Sequence, residues 1–196
     1  MKKSTIAHFA IGTALAAASL CSHAEDLRPL HFVIGTGITG GGEKLATVTY
    51  TNGDTQDIRS GGLVHYFVGM DVRAAPHVSV QATVGYHVDS SAGASNGSVR
   101  FTRVPIEVLG YFHVNESIRL GGGVRLVNSP ELTGRGVASN VNDSFDNTVG
   151  VVLEGEYKFT NWFGLKLRAV SESYRSRGTG FKANGDHAGL YAAFYL

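Results

Sequence analysis

"FTRVPIEVLGYF", residues 101–112, reads as two sequences when taken at every second position. Val104, Ile106, Val108, Gly110 and Phe112 form an apolar or neutral stripe. Phe101, Arg103, Pro105, Glu107, Leu109 and Tyr111 form the other. Alternate side chains of a β-strand point to opposite faces, so an Arg and a Glu share one face of a strand whose other face carries no charge. What has to be decided is which face meets the surroundings and which is enclosed.

The same period recurs along the chain after Glu25, with no helical period between. Apolar stripes at alternate residues run through 30–38, 64–72, 78–88, 104–112, 118–126, 149–159, 163–169 and 188–196, and no stripe position is charged. Eight half-buried strands are the reading. The opposite faces carry Asp71, Arg73, Arg103, Glu107, Arg119, Arg125, Glu154, Glu156, Lys158, Lys166, Arg168 and Glu172. Abundant Gly (26 residues) and scarce Pro (4) suit many strands joined by tight turns.

Two barrels fit this split. A soluble lipocalin-like barrel turns its apolar stripes inward, and a transmembrane barrel turns them outward. Connection lengths separate the two. The links "AAPH" at 74–77, "NES" at 115–117 and "TNW" around Asn161 are brief, whereas 39–62, 89–99, 128–148 and 176–187 are long and polar. Strict alternation of short turns with long loops is the outer-membrane arrangement. Tyr66, Tyr86, Tyr157, Phe112, Phe159, Phe163 and Phe194 stand near stripe ends, where interfacial rings are expected. The expectation is an all-β, eight-stranded antiparallel up-and-down transmembrane β-barrel with short periplasmic turns and long external loops.

The N-terminus agrees with export. Lys2 and Lys3 precede an apolar run from Ile6 to Leu20, and Ser22-His23-Ala24 supplies small residues at a cleavage site. Residues 1–24 are read as a cleaved signal peptide and 25–196 as one barrel domain. The apolar run is too short for a spanning helix, and Leu20 is too large to precede a lipidated Cys21. Cleavage removes the one Cys, so no disulfide is expected. It also removes two of the 17 basic residues and none of the 16 acidic ones, leaving a near-neutral chain with no nucleic-acid signature.

The last strand, "GLYAAFYL", places Leu190, Ala192, Phe194 and Leu196 on one face. Here the chain resembles the small outer-membrane β-barrel proteins of Gram-negative bacteria, the OmpX and OmpA-transmembrane type. The resemblance is one of architecture and covers the whole mature chain. It implies an apolar C-terminal strand read by the barrel assembly machinery, with Leu190, Phe194 and Leu196 as that signature. Leu196 stands where the family usually ends on Phe. It further implies integral residence in the outer membrane, contact with lipid and lipopolysaccharide, and a monomer.

With the apolar stripes in lipid, the charges belong in the lumen, where seven cations and five anions need partners. Pairing the sixth and seventh strands around Asn161 sets Glu156 across from Lys166 and Glu154 across from Arg168. A similar register about Glu116 sets Glu107 across from Arg125. Arg103 is expected to join these salt bridges. Pro105 takes a ladder donor out of a closed barrel, so a bulge is expected there.

Other motifs carry less. The Gly-rich "GTGITGGG" at 35–42 precedes no helix, so it is no phosphate loop. Gly85 and Gly121 are read as room for Phe67 and Tyr111. His65 and His87 face each other without a third metal ligand, and no cofactor is expected. Ser171, Glu172, Ser173 and His187 are the one enzyme-like set, as a lipid A-modifying barrel would need. Neighbours on a strand point opposite ways, so no enzyme is expected. A conduit for small molecules is the third reading, opposed by Phe67, Leu109, Tyr111 and Tyr191 in the lumen. In loop one, Asn52-Gly53 between strand-like segments predicts a hairpin turn, with the first two strands projecting as a β-ribbon. The function expected is structural, or a surface interaction through the loops.

Overall fold

The structure, a computed structural model, describes residues 30–49, 53, 55–91 and 97–196. The expected signal peptide and Asn52 lie outside the described residues. Among the described residues thirteen strands follow in order. They are β1 (His31–Gly41), β2 (Lys44–Thr49), β3 (Thr55–Arg59), β4 (Leu63–Ala75), β5 (Val78–Ser90), β6 (Gly97–His113) and β7 (Ile118–Gly136). After them come β8 (Asp143–Ser144), β9 (Thr148–Lys158), β10 (Phe163–Ser171), β11 (Ser173–Arg175), β12 (Lys182–Asn184) and β13 (His187–Tyr195).

Eight of these close a barrel. Going round the wall, β1, β4, β5, β6, β7, β9, β10 and β13 pair with their neighbours, all antiparallel, and β13 returns to β1. Closure leaves no free sheet edge. The short turns are built by local side chains. Asn115 Oδ1 accepts from the Ser117 and Ile118 amides at 2.9 and 2.8 Å, and Thr160 Oγ1 accepts from the Phe163 amide at 3.0 Å.

All eight apolar stripes lie on the outer surface, and none of their residues is buried. Leu167 is 68% exposed and Ile106 46%, whereas Leu109 and Arg103 are wholly enclosed. This is the polarity of a transmembrane barrel, not of a lipocalin. Rings collect at the short-turn end, where Tyr157, Phe159, Phe163, Phe194 and Trp162 meet ring to ring in sequence. Tyr66 pairs with Tyr86 toward the other end.

The long-loop end departs from expectation. β7 runs on through Asn128–Gly136, inside the segment 128–148 read as a loop, and β6, which begins at Gly97, takes in the last residues of 89–99; paired, the two project as a ribbon. A register slip explains why alternation hid this. Thr102 faces Glu131 and Val104 faces Asn128, so Arg103 alone stands against Ser129 and Pro130. Ser129 takes φ 47°, in the left-handed region. The extra residue exchanges the faces of β7, with Arg125 and Val127 inward before it and Pro130 and Leu132 inward after it. Pro105 itself pairs in register with Val127, so the bulge lies beside it and not at it. On its other side the β5–β6 ladder skips Gly85 and Tyr86, where proline has no N–H to give.

Loop one also departs. β2 and β3 do pair as a hairpin, but in a sheet of their own, and they do not extend β1 and β4. The chain turns back at Gly42 (φ 74°), packed so closely that a Cβ there would lie 2.4 Å from the Gly61 amide. Ile58 then sits in an apolar cluster with Val99, Phe101, Val127, Leu132, Phe145, Tyr174 and Ala183. These residues come from opposite walls, so the hairpin closes the lumen at this end.

Candidate functional site

The lumen holds three tiers of polar groups. Of the twelve charges read on the inner faces, Arg73 is exposed and Lys158 half-buried near the short turns, and the other ten are buried, five of each sign; Asp89 on β5 is buried as well. Nearest the short turns, Arg119 donates to Glu156 Oε2 and Asp71 Oδ2, each at 2.6 Å, and to the Tyr195 hydroxyl at 2.6 Å. Its guanidinium lies 4.0 Å from the Tyr111 ring centroid, a cation–π contact. Tyr195 in turn donates to Glu156 Oε1 at 2.6 Å.

In the middle tier, Glu154 accepts from Lys166 at 2.8 Å, from Arg168 at 2.6 Å and from the Tyr111 hydroxyl at 2.5 Å. Glu107 binds Arg125 at 3.0 Å and Arg168 at 2.8 Å. Lys166 stands across from Glu156, Arg168 from Glu154 and Arg125 from Glu107. The closest ion pairs often run diagonally, because long side chains reach past their direct partner: Lys166 is 3.5 Å from Glu156 but 2.8 Å from Glu154. Gly121 makes room for Tyr111, as a Cβ there would lie 2.5 Å from that ring. Tyr111 leans over it from β6, across β7, to reach Glu154 on β9. Phe67 is admitted by Gly35 (2.3 Å), not by Gly85, which lies against His65 Nε2.

The third tier meets around His87. Arg103 donates to His87 Nδ1 at 2.9 Å and to the Gly62 carbonyl at 2.8 Å, and it lies over the Phe101 ring at 4.8 Å. Among the described residues no carboxylate is within ion-pair distance of Arg103, which corrects the expected salt bridge. Its neighbour on β5 is His87, and on β7 it meets the bulge at Ser129 and Pro130; the buried Asp89 farther along β5 accepts from the Arg59 amide at 2.8 Å instead. Arg125 Nε lies 3.1 Å from Glu172 Oε2, and the Tyr174 hydroxyl donates to Glu172 Oε1. Tyr174, above the apolar stripe on β11, is held well above its usual pKa by burial.

No family model matches the chain, and no curated protein matches it. Among solved structures, the attachment invasion locus protein Ail of Yersinia pestis aligns with a TM-score of 0.54 at 10% identity, covering 85% of this chain and 97% of that one. A structure of Ail with the heparin analogue sucrose octasulfate aligns with a TM-score of 0.53 over the same shares. Neisserial surface protein A aligns at 0.51 with 10% identity, covering 88% of this chain and 99% of that one. The fold is that of the small outer-membrane β-barrels.

Within this barrel the enzyme-like set does not converge. Ser171 and Ser173 lie on the outer face, whereas Glu172 and His187 are buried on the inner one. Ser171 Oγ donates to Asp186 at 2.9 Å, and His187 Nδ1 donates to the Gly185 carbonyl at 2.7 Å. The wall stands between each hydroxyl and the imidazole. His187 does join His65 and His87, its ring centroid 5.2 Å from that of His87. Sequence reasoning missed this third His because β13 is not a neighbour of β5. It also missed the Arg119–Glu156 register, which spans a long loop and has no tight turn to anchor it. Leu190 and Phe194 lie on the outer face of β13, and Leu196, the residue after it, is exposed too.

Proposed function

We propose that this chain is a monomeric, non-enzymatic integral protein of the Gram-negative outer membrane that acts through its long-loop end. On this reading it is exported by residues 1–24. It is folded by the barrel assembly machinery acting on Leu190, Phe194 and Leu196, and it sits among outer-membrane lipid and lipopolysaccharide. One observation carries the functional part: the lumen is filled by a network of buried charges of both signs and then sealed by the apolar cluster around Ile58 and Phe101. A barrel filled in this way is a rigid pedestal, and what it presents is the surface of the β2–β3 hairpin, the β6–β7 ribbon and the β11–β12 hairpin.

The test combines planar-bilayer conductance of the purified chain with lipid A mass spectrometry of cells expressing it. We expect no conductance steps and unchanged lipid A, and Ser173→Ala and His187→Ala should leave any phenotype intact. Discrete conductance would favour a conduit. An acyl or phosphate change that depends on both residues would favour an enzyme.

A further inference from the structure

The outer wall is uneven at its rim. β6 and β7 project, but β10 stops at Ser171 and β13 starts at His187, and there the outer face is cut by two contiguous grooves. The one on the apolar band, about 470 Å³, is lined by Val151, Leu153, Ala169 and Ala188. The one beyond it, about 570 Å³, is lined by Ser173, Lys182, Asn184 and Glu43, and the two share Ser171 and Asp186. Both volumes fall in the range of small-molecule sites.

The outward residues change character in one direction. Along β10 and β11 they read Leu167, Ala169, Ser171, Ser173, Arg175, and along β13 and β12 they read Leu190, Ala188, Asp186, Asn184, Lys182. Both columns go from apolar to hydrogen-bonding to cationic. They end on the same rung, since Arg175 pairs with Lys182 across the hairpin. Like charges directly opposite one another are unfavourable. Arg177 takes Asp146 at 3.2 Å, but among the described residues no ion pair forms at Arg175 or Lys182. The carboxylates below are already engaged by the wall. Asp186 accepts from Ser171 Oγ and the Glu172 amide at 2.9 Å and from Asn184 Nδ2 at 3.4 Å, and Glu43 accepts from the Asn184 amide at 2.9 Å.

We infer that this face is a binding site for one phosphorylated glycolipid of the surrounding membrane leaflet. An acyl chain lies in the groove between Leu153 and Ala188, and hydroxyl or amide donors meet Asp186, Asn184 and Glu43. The phosphate bridges Arg175 and Lys182. From Ser171 to Arg175 is about 13 Å along a strand, which leaves a sugar-sized polar unit between phosphate and chain. The carboxylates under the cations disfavour a phosphate set directly at the chain, so a plain phospholipid fits less well. This rests on the outer-membrane reading above.

The test uses the full chain in phosphatidylcholine nanodiscs doped with either lipid A or phosphatidylglycerol, with bound lipid counted by native mass spectrometry. The wild type should retain one lipid A and no phosphatidylglycerol. Retention should fall at least tenfold in Arg175→Gln with Lys182→Gln, and separately in Ala169→Phe, which fills the groove. Equal retention of both lipids, equal retention by all variants, or displacement of lipid A by inorganic phosphate would overturn the inference. A chain that enters the bilayer without selectivity defeats this site alone. A chain that does not enter defeats the outer-membrane reading and the site with it.

Discussion

The lumen within the apolar band and the lumen beyond it are lined by the same strands and filled by opposite chemistry. Below Arg103, β6 points Glu107 and Tyr111 inward and Val104, Ile106 and Val108 outward. Above it, the same strand points Phe101 and Val99 inward and Thr102 and Arg100 outward. β10 and β11 repeat the change, from Lys166 and Arg168 to Tyr174 inside and from Leu167 to Ser173 and Arg175 outside. The cause is the solvent beyond the wall. In hydrocarbon the outer face cannot carry charge, so polarity is enclosed and must be paired. In water the hydrophobic effect again puts apolar groups inside. Arg103, with His87 and Phe101 as its partners, sits at the crossover.

Four tests would break or sharpen this contrast. The largest effect is expected in the charged tier. Glu154→Ala leaves Lys166 and Arg168 without their common acceptor, and loss of one partner of a buried pair costs ~3–5 kcal/mol. Denaturant unfolding from lipid vesicles measures it, and adding Lys166→Ala should recover part of the loss. A cycle without coupling would remove the network from the account. On the outer face, Ile106→Arg should cost ~2–4 kcal/mol in the same assay, while Thr102→Arg, beyond the crossover, should cost little. Equal costs at 102 and 106 would erase the boundary.

Smaller effects are expected in the cap. Ile58→Val removes one methylene from the apolar cluster and should cost ~0.5–1.5 kcal/mol, read as faster amide exchange in β2 and β3 with the barrel strands unchanged. The smallest effect is a titration. The Thr47 hydroxyl first, then Lys44 and Arg59, hold the half-buried Asp57 below its ordinary pKa of 3.8. A depressed carboxyl contributes stability above its unfolded pKa and loses it as pH falls through the folded value. Amide protection in the hairpin, taken relative to the unfolded chain at each pH, should therefore fall below about pH 4, whereas Asp57→Asn should flatten that dependence. An unchanged pH profile in Asp57→Asn would reject the assignment.

What was legible in the sequence follows this division. Inside the band, alternation is strict and turns are short, so the strands and the direct partners of Glu107, Glu154 and Glu156 could be read by counting outward from Glu116 and Asn161. Beyond it, the bulge at Ser129 and Pro130 breaks the period, and polar outer faces on β6 and β7 look like loop composition. The cap is assembled from five separated segments whose meeting no local pattern encodes. Alternation puts Arg103 on the correct face but hides its partners, because the wall beside it on β7 is the bulge itself.

The crossover on β6 is the central claim, and a nitroxide scan of residues 98 to 112 in a lipid bilayer tests it most directly. Labels at 104, 106, 108 and 110 should be relaxed by oxygen dissolved in the lipid, and labels at 98, 100 and 102 by a water-soluble nickel chelate. Labels at 99, 101, 107 and 109 should be shielded from both. A lipid-phase response at 100 and 102, or a water-phase response at 107 and 109, would contradict the account.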